Sequence, residues 1–151
     1  MIATQVGAIR IVTCGNQHVL GEHDTLESPH DLINFSCVSL NTSMTIPHWS
    51  YRLPDSEITF NVKISSRLTV TDSESAVTAA MNGVGITQQL HYQVKEAIDK
   101  GKLDIILPEF EPAKVPVHLL YKSRKYMPKK IKSFLDFASP ILKNKIDELF
   151  S

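Results

Sequence analysis

An α/β fold is what this 151-residue sequence predicts, and three observations lead to it. Short β-branched, apolar runs alternate with segments whose apolar residues recur at helical spacing. Cap and stop residues bracket the helical segments. A composition of 42% hydrophobic and 21% charged residues is enough for a packed core.

The elements follow in order. Ala8–Cys14 is β-branched and mostly apolar, as a buried strand requires. Gly15-Asn16 follows, with Asn16 placed to cap a short helix through Gln17–His23, and Glu22 and Asp24 lead into a loop. Ser28-Pro29-His30-Asp31-Leu32 has the form of a helix start, with Ser28 as cap and Pro29 in the first turn. Phe35–Leu40 reads as a strand, and Asn41–Pro47 is polar and turn-rich. Trp49, Tyr51 and Leu53 alternate with polar residues. After the Pro54-Asp55-Ser56 turn, Ile58, Phe60, Val62 and Ile64 do the same, which predicts a hairpin. Leu68 and Val70 carry the β character to Asp72.

Thr71-Asp72-Ser73-Glu74 has capping-box spacing, and Ala76, Val77, Ala80 and Met81 then share one helical face. Asn82-Gly83 ends that helix. Val84-Gly85-Ile86 suits a strand or a tight buried crossing. A second helix is expected from about Gln88 to Lys100, closed by Gly101. Leu103–Leu107 is the next strand, stopped by Pro108, and Glu109–Pro116 is an acidic, proline-bearing connection. Val117–Tyr121 is a strand. Met127-Pro128 opens a last helix carrying Ile131, Phe134, Leu135 and Ala138, which Pro140 should kink or restart before Ile141, Leu142, Ile146 and Leu149.

Composition excludes several classes. No apolar run reaches the roughly 18 to 20 residues of a membrane span, and the N-terminus lacks a charged-then-apolar signal pattern. Two cysteines, Cys14 and Cys37, do not make a disulfide framework, so a reducing cytoplasm is the expected location. Net charge is zero, yet residues 122–151 concentrate Lys122, Arg124, Lys125, Lys129, Lys130 and Lys132. No base-reading motif accompanies this patch, so a solvated or inter-subunit face is preferred to a DNA surface. The six histidines form no paired helical site and meet no Cys-x-x-Cys, so no metal is expected. No Gly-x-Ser-x-Gly elbow supports nucleophilic catalysis, so neither an enzyme nor a cofactor is expected.

Val70-Thr71-Asp72-Ser73, the helix with Ala79-Ala80, and Gly83-Val84-Gly85-Ile86 together resemble the second lobe of the regulatory domain of LysR-type transcription regulators. The runs Leu103–Phe110, Pro116–Pro128 and Ile131–Phe137 resemble that family's later strand, its closing strand with a basic turn, and its final helix. Gly15–Leu20 and Ser28–Leu32 fit its early turn-helix and Pro-x-Asp-Leu segments. The resemblance runs from roughly Gly7 to Leu142. It departs at Gln17, where the family usually has proline. No counterpart of the winged helix-turn-helix, the linker helix or the first half of the first lobe is found.

The resemblance implies a lobe like that of type 2 periplasmic binding proteins, a mixed sheet flanked by helices. The expected organisation is one effector-binding-domain fragment, 1–151, with about 14–115 as the second lobe. Residues 1–13 and 116–151 are then hinge strands and a returning C-terminal helix. The implied function is to sense a small organic effector, a carboxylate among the candidates, and to dimerise, DNA being bound only by the absent N-terminal domain. No membrane partner is expected. Candidate ligand residues are Gly15, Asn16, Asp72, Ser73, Gly85, Ile86 and Thr87, because helix starts and a glycine-bearing crossing offer backbone N–H groups to an anion. Asn16 and Ser73 read first as helix caps and second as effector contacts. Asp72 repels an anion and suits a cap or a ligand hydroxyl or amine. Trp49 is either core or cleft mouth. A solute-binding transport receptor and an interaction domain without ligand are the alternatives.

Overall fold

The computed structural model describes residues 2–21, 26–41, 47–122 and 128–150. The end of the first predicted helix at His23, the Glu22–Asp24 loop, the interior of the Asn41–Pro47 turn and the Ser123–Met127 part of the basic turn lie outside the described residues. The chain divides into two compact units: Ile11–Ala113, and Met1–Arg10 together with Lys114–Ser151.

The predicted strand at Ala8–Cys14 is two strands. β1 (Ile2–Ile9) belongs to the smaller unit and β2 (Ile11–Gly15) opens the larger one, with the break at Arg10. In the larger unit, α1 (Gln17–Gly21) is followed by a 3-10 turn over Pro29–Asn34, where an α-helical start was expected. The Asp31 carboxylate there accepts from the backbone N–H of Ser28 and of Glu27, both at 3.0 Å. β3 (Ser36–Leu40), β4 (His48–Arg52), β5 (Thr59–Lys63) and β6 (Ser65–Val70) come next, then α2 (Ser73–Met81). β7 (Thr87–Leu90) occupies what the sequence presents as the start of a helix, so α3 runs only over His91–Asp99. β8 (Asp104–Ile106) completes the unit's strands.

β2 lies between β7 and β8, antiparallel to both, with Ile11 opposite Leu90 and Gly15 opposite Asp104. β3 and β6 form a parallel pair. A parallel bridge between Cys37 and Ile86 joins the two sets, through Val38 N–H to the Ile86 carbonyl at 2.8 Å and Ile86 N–H to the Ser36 carbonyl at 2.9 Å. The sheet therefore reads β6, β3, β7, β2, β8.

Period-2 alternation sends neighbouring residues to opposite faces of this sheet. Val12 and Cys14 pack with Val77, Ala80, Val94, Ala97 and Leu103 beneath α2 and α3. Thr13, between them, turns the other way and its hydroxyl meets the buried Tyr51 hydroxyl at 2.7 Å. On that side the predicted hairpin, antiparallel β4–β5 with Trp49 opposite Val62, packs with Leu32, Phe35, Cys37 and Ile86.

In the smaller unit β1 pairs antiparallel with β9 (Val115–Tyr121), and α4 (Lys129–Phe150) packs on β1. α4 is one continuous helix through Pro140, not two. Gly7 is where it comes close: a Cβ there would stand 2.6 Å from Ile146 Cγ2. Among the described residues no helix is long and apolar enough to cross a membrane.

Candidate functional site

The seven sequence-selected residues do not surround one hollow. Gly15 ends β2, where an added Cβ would meet Ile86 Cγ1 at 3.2 Å and Leu20 Cδ2 at 3.3 Å. Asn16 caps α1, its Oδ1 accepting the His18 N–H at 2.8 Å, and its Nδ2 donates to the Met81 carbonyl at the end of α2, 2.9 Å away. Asp72 and Ser73 stand at the opposite end of α2. Eight residues at 1.5 Å rise separate the two groups by about 12 Å.

The structure shows which partners these helix starts and the glycine crossing already have. Asp72 already places a carboxylate on the α2 N-terminus, accepting the Ser75 N–H at 2.8 Å and the Ser75 hydroxyl at 2.9 Å. These bonds hold its carboxyl below the ordinary value. Gly85, Ile86 and Thr87 are buried. The Ile86 N–H is used by Ser36, and the Thr87 hydroxyl donates to the Val38 carbonyl at 3.1 Å while accepting from Gln89 Nε2 at 2.9 Å. These donors build the sheet and do not present themselves to a ligand.

A different concavity combines polar and apolar groups. It lies at the carboxyl ends of the parallel strands β3 and β6, with a volume of about 390 Å³. Val38, Leu40, Pro47, Trp49 and Ile64 form its apolar wall, and Ser39, Asn41, His48, Thr69 and Gln88 its polar one. Ligands in open α/β sheets bind outside the carboxyl ends of strands. The chain also enters this unit at that end, because Ile11 pairs with Leu90 at the carboxyl end of β7. Gly15 lies at the far end of β2, about 13 Å away at strand spacing.

The sequence supplies this site in pieces. Parallel pairing sets Ser39 against Thr69. Ser39 Oγ is 2.6 Å from Ser66 Oγ and 3.2 Å from Thr69 Oγ1, and Ser66 Oγ is 3.1 Å from Thr69 Oγ1, so three hydroxyls close a ring. Ser66 also donates to the Leu68 carbonyl at 3.2 Å. Gln88 is held at the rim by donating from Nε2 to the Ser50 carbonyl at 3.1 Å. Trp49 packs in the core, as expected, and also lines this hollow. Of the polar wall, sequence reasoning singled out none. The available signal was Ser39, a hydroxyl set between Val38 and Leu40 in an otherwise apolar strand.

Ser73 instead edges a hollow of about 520 Å³ between α2 and α3, and Asn16 one of about 600 Å³ near the α2 C-terminus. The two cysteines are buried free thiols, and burial pushes each up to about 12. Among the described residues no group of three His, Cys, Asp or Glu side chains is arranged to hold a metal.

Comparison with known proteins agrees with this architecture. Residues 1–141 match the LysR substrate binding domain. The uncharacterized HTH-type transcriptional regulator YhjC of Escherichia coli K12 is 25% identical over 147 residues, 97% of this chain and 49% of that protein. The full-length Vibrio cholerae virulence activator AphB superposes with a TM-score of 0.78 at 18% identity, over 93% of this chain and 48% of that one. The regulatory domain of CrgA from Neisseria meningitidis superposes with a TM-score of 0.71 at 23% identity, over 93% of this chain and 69% of that one. This chain thus spans about half the length of YhjC. The fold is the one expected, similar to that of type 2 periplasmic binding proteins. With 141 of its 151 residues matched, the chain belongs to the LysR substrate-binding domain family.

Proposed function

We propose that this chain is the effector-sensing and dimerising module of a LysR-type transcription regulator, whose DNA contacts are made by a helix-turn-helix segment of the parent protein. The larger unit, Ile11–Ala113, is assigned to the second lobe. The smaller unit is assigned to strands and the returning helix of the first, close to the division expected at about 14–115. The relatives are HTH-type regulators, which favours this reading over a transport receptor.

The observation that carries the proposal is the hollow at the carboxyl ends of β3 and β6, at the strand end where Ile11 begins this unit. It is the effector-binding hollow of this unit. Apolar walls with a few placed polar groups are what small-molecule sites offer. An effector that bound better to one arrangement of the regulator than another would shift that equilibrium by its differential affinity.

Trp49 is the sole tryptophan of the chain and lines the hollow, so its fluorescence reports occupancy directly. A screen of small metabolites against the full chain should find compounds that raise Tm and shift Trp49 emission together. Compounds that raise Tm while leaving Trp49 emission unchanged would place binding elsewhere and remove this assignment.

Dimerisation has its own support. Phe134 and Phe137 on α4 are 62% and 70% exposed, and Leu120 on β9 is 64% exposed. Aromatic residues at i and i+3 share a helix face, and exposed apolar faces of this kind favour association. Light scattering after size exclusion should give a mass above 16.9 kDa, lowered by the F134D/F137D double variant. A monodisperse monomer from the parent chain would contradict it.

A further inference from the structure

The wall of the hollow specifies more than the presence of a site. Its described lining includes no Lys, Arg, Asp or Glu, and His48 is its single titratable group. An anionic ligand therefore gains no ion pair from this described lining. At the same strand end stands the Asp72 carboxylate, which already occupies the positive end of α2.

The hydroxyl ring adds a proton count. Each hydroxyl has one proton to give and two lone pairs to receive. Ser39, Ser66 and Thr69 make three contacts among themselves, and Ser66 makes a fourth to the Leu68 carbonyl. Among the described residues, three protons serve four contacts, so none is left over, whereas at least three of the six lone pairs remain open. Ser39 and Thr69 line the hollow. They meet a ligand as acceptors. A carboxylate brings acceptors only, and to bind there it would have to break a contact within the ring. A ligand hydroxyl brings a proton to an open lone pair and can also receive one from Gln88 or Asn41, whose amides carry further N–H groups.

Resting on the assignment of this hollow as the effector site, we infer that the effector this lobe recognises is a neutral, polyhydroxylated compound of sugar or polyol type, not the carboxylate expected from helix ends. Its carbon skeleton lies against Trp49, Ile64 and Leu40, and its hydroxyls face Ser39 and Thr69.

The test pairs neutral compounds with acids of the same skeleton: D-glucose with D-gluconate, D-ribose with D-ribonate, and glycerol with glycerate. Each is titrated into the full chain, and Trp49 emission and Tm are both followed. At least one neutral member should shift Trp49 emission, and its acid should bind at least tenfold more weakly. Thr69→Val, an exposed and near-isosteric change, should weaken the neutral compound about fivefold or more without loss of folding. Ser39→Ala should do the same where it folds. An acid that shifts Trp49 at equal or lower concentration than its neutral partner overturns the inference while leaving the site in place. Neutral compounds that leave Trp49 unmoved at 100-fold the concentration of an effective acid also overturn it. Compounds that raise Tm with no response at Trp49 overturn the site, and no response of any kind from all six overturns the ligand class.

Discussion

Gly85→Ala is the sharpest probe of how the larger unit is joined. A Cβ at Gly85 would stand 2.6 Å from the Ser36 carbonyl oxygen, 2.8 Å from its carbon and 3.0 Å from Cys37 Cα. All three are backbone atoms of a paired strand, so no side chain can swing aside. The strand must move, and the bonds that move with it are Val38 N–H to Ile86 and Ile86 N–H to Ser36. Among the described residues that bridge links the β3–β6 pair to the other three strands. Overpacking of one methyl costs about 1–3 kcal/mol, and two weakened hydrogen bonds add about 1–2 kcal/mol. The expected loss is then about 2–5 kcal/mol, or a Tm lower by about 5–20 °C for a chain of this length. Urea unfolding followed by Trp49 fluorescence reads this directly, because Trp49 sits in the core cluster that contains Cys37 and Ile86. Gly21→Ala, with nothing within 4 Å of its added Cβ, is the control and should stay within about 0.5 kcal/mol of the parent. A Gly85→Ala protein as stable as the control would refute the close approach of β3 to residues 85–86.

Further outcomes follow from other contacts. Tyr51→Phe should destabilise by about 1–3 kcal/mol, since it strands the buried Thr13 hydroxyl. The T13V/Y51F double variant should cost less than the two singles together in a double-mutant cycle, and strict additivity would argue against the bond. Asp72→Asn should flatten the acid limb of a Tm–pH profile. The folded carboxyl lies below its ordinary 3.8, so its stabilisation is complete above that value and disappears as pH falls through the lowered one. An unchanged acid limb would mean that the Ser75 bonds contribute nothing. Cys14 and Cys37, with thiols near 12, should resist Ellman's reagent at pH 8 in the native chain. Both should react in guanidinium chloride, and prompt native labelling would show a thiol open to solvent.

Local chemistry made much of the fold readable. The α2 start was visible because Asp72 is a cap three residues before a backbone N–H it can accept, and the structure shows Ser75 donating to it. Alternation along residues 49–64 exposed the hairpin, since Trp49, Tyr51 and Val62 all turn to one core. The misread segments share a cause: pairing partners outvoted local preference. Gln88, Gln89 and Leu90 have helical propensity, yet Gln89 lies opposite Val12 and Leu90 opposite Ile11. The helix then starts only where Gln93 Oε1 reaches back to accept the Leu90 N–H at 3.1 Å. At Ala8–Cys14 a largely β-branched run concealed a change of unit at Arg10, because β propensity is the same whichever sheet receives the strand.

The site was harder to read for a deeper reason. Helix starts are local features, so the sequence offers them one by one, and Asn16 and Asp72 looked alike on that basis. Only the length of α2 sets them at opposite ends. The hollow is a non-local object: Ser39, His48, Thr69 and Gln88 come from four segments, and no spacing between them in sequence carries the information that they meet. What brings Ser39 against Thr69 is the parallel register of β3 and β6. A one-residue slip would replace Ser39 by Val38 or Leu40 at the ring and break the hydroxyl cluster. Gly85→Ala, which presses on β3 at Ser36 and Cys37 just before Ser39, should therefore weaken ligand binding at Trp49 along with stability.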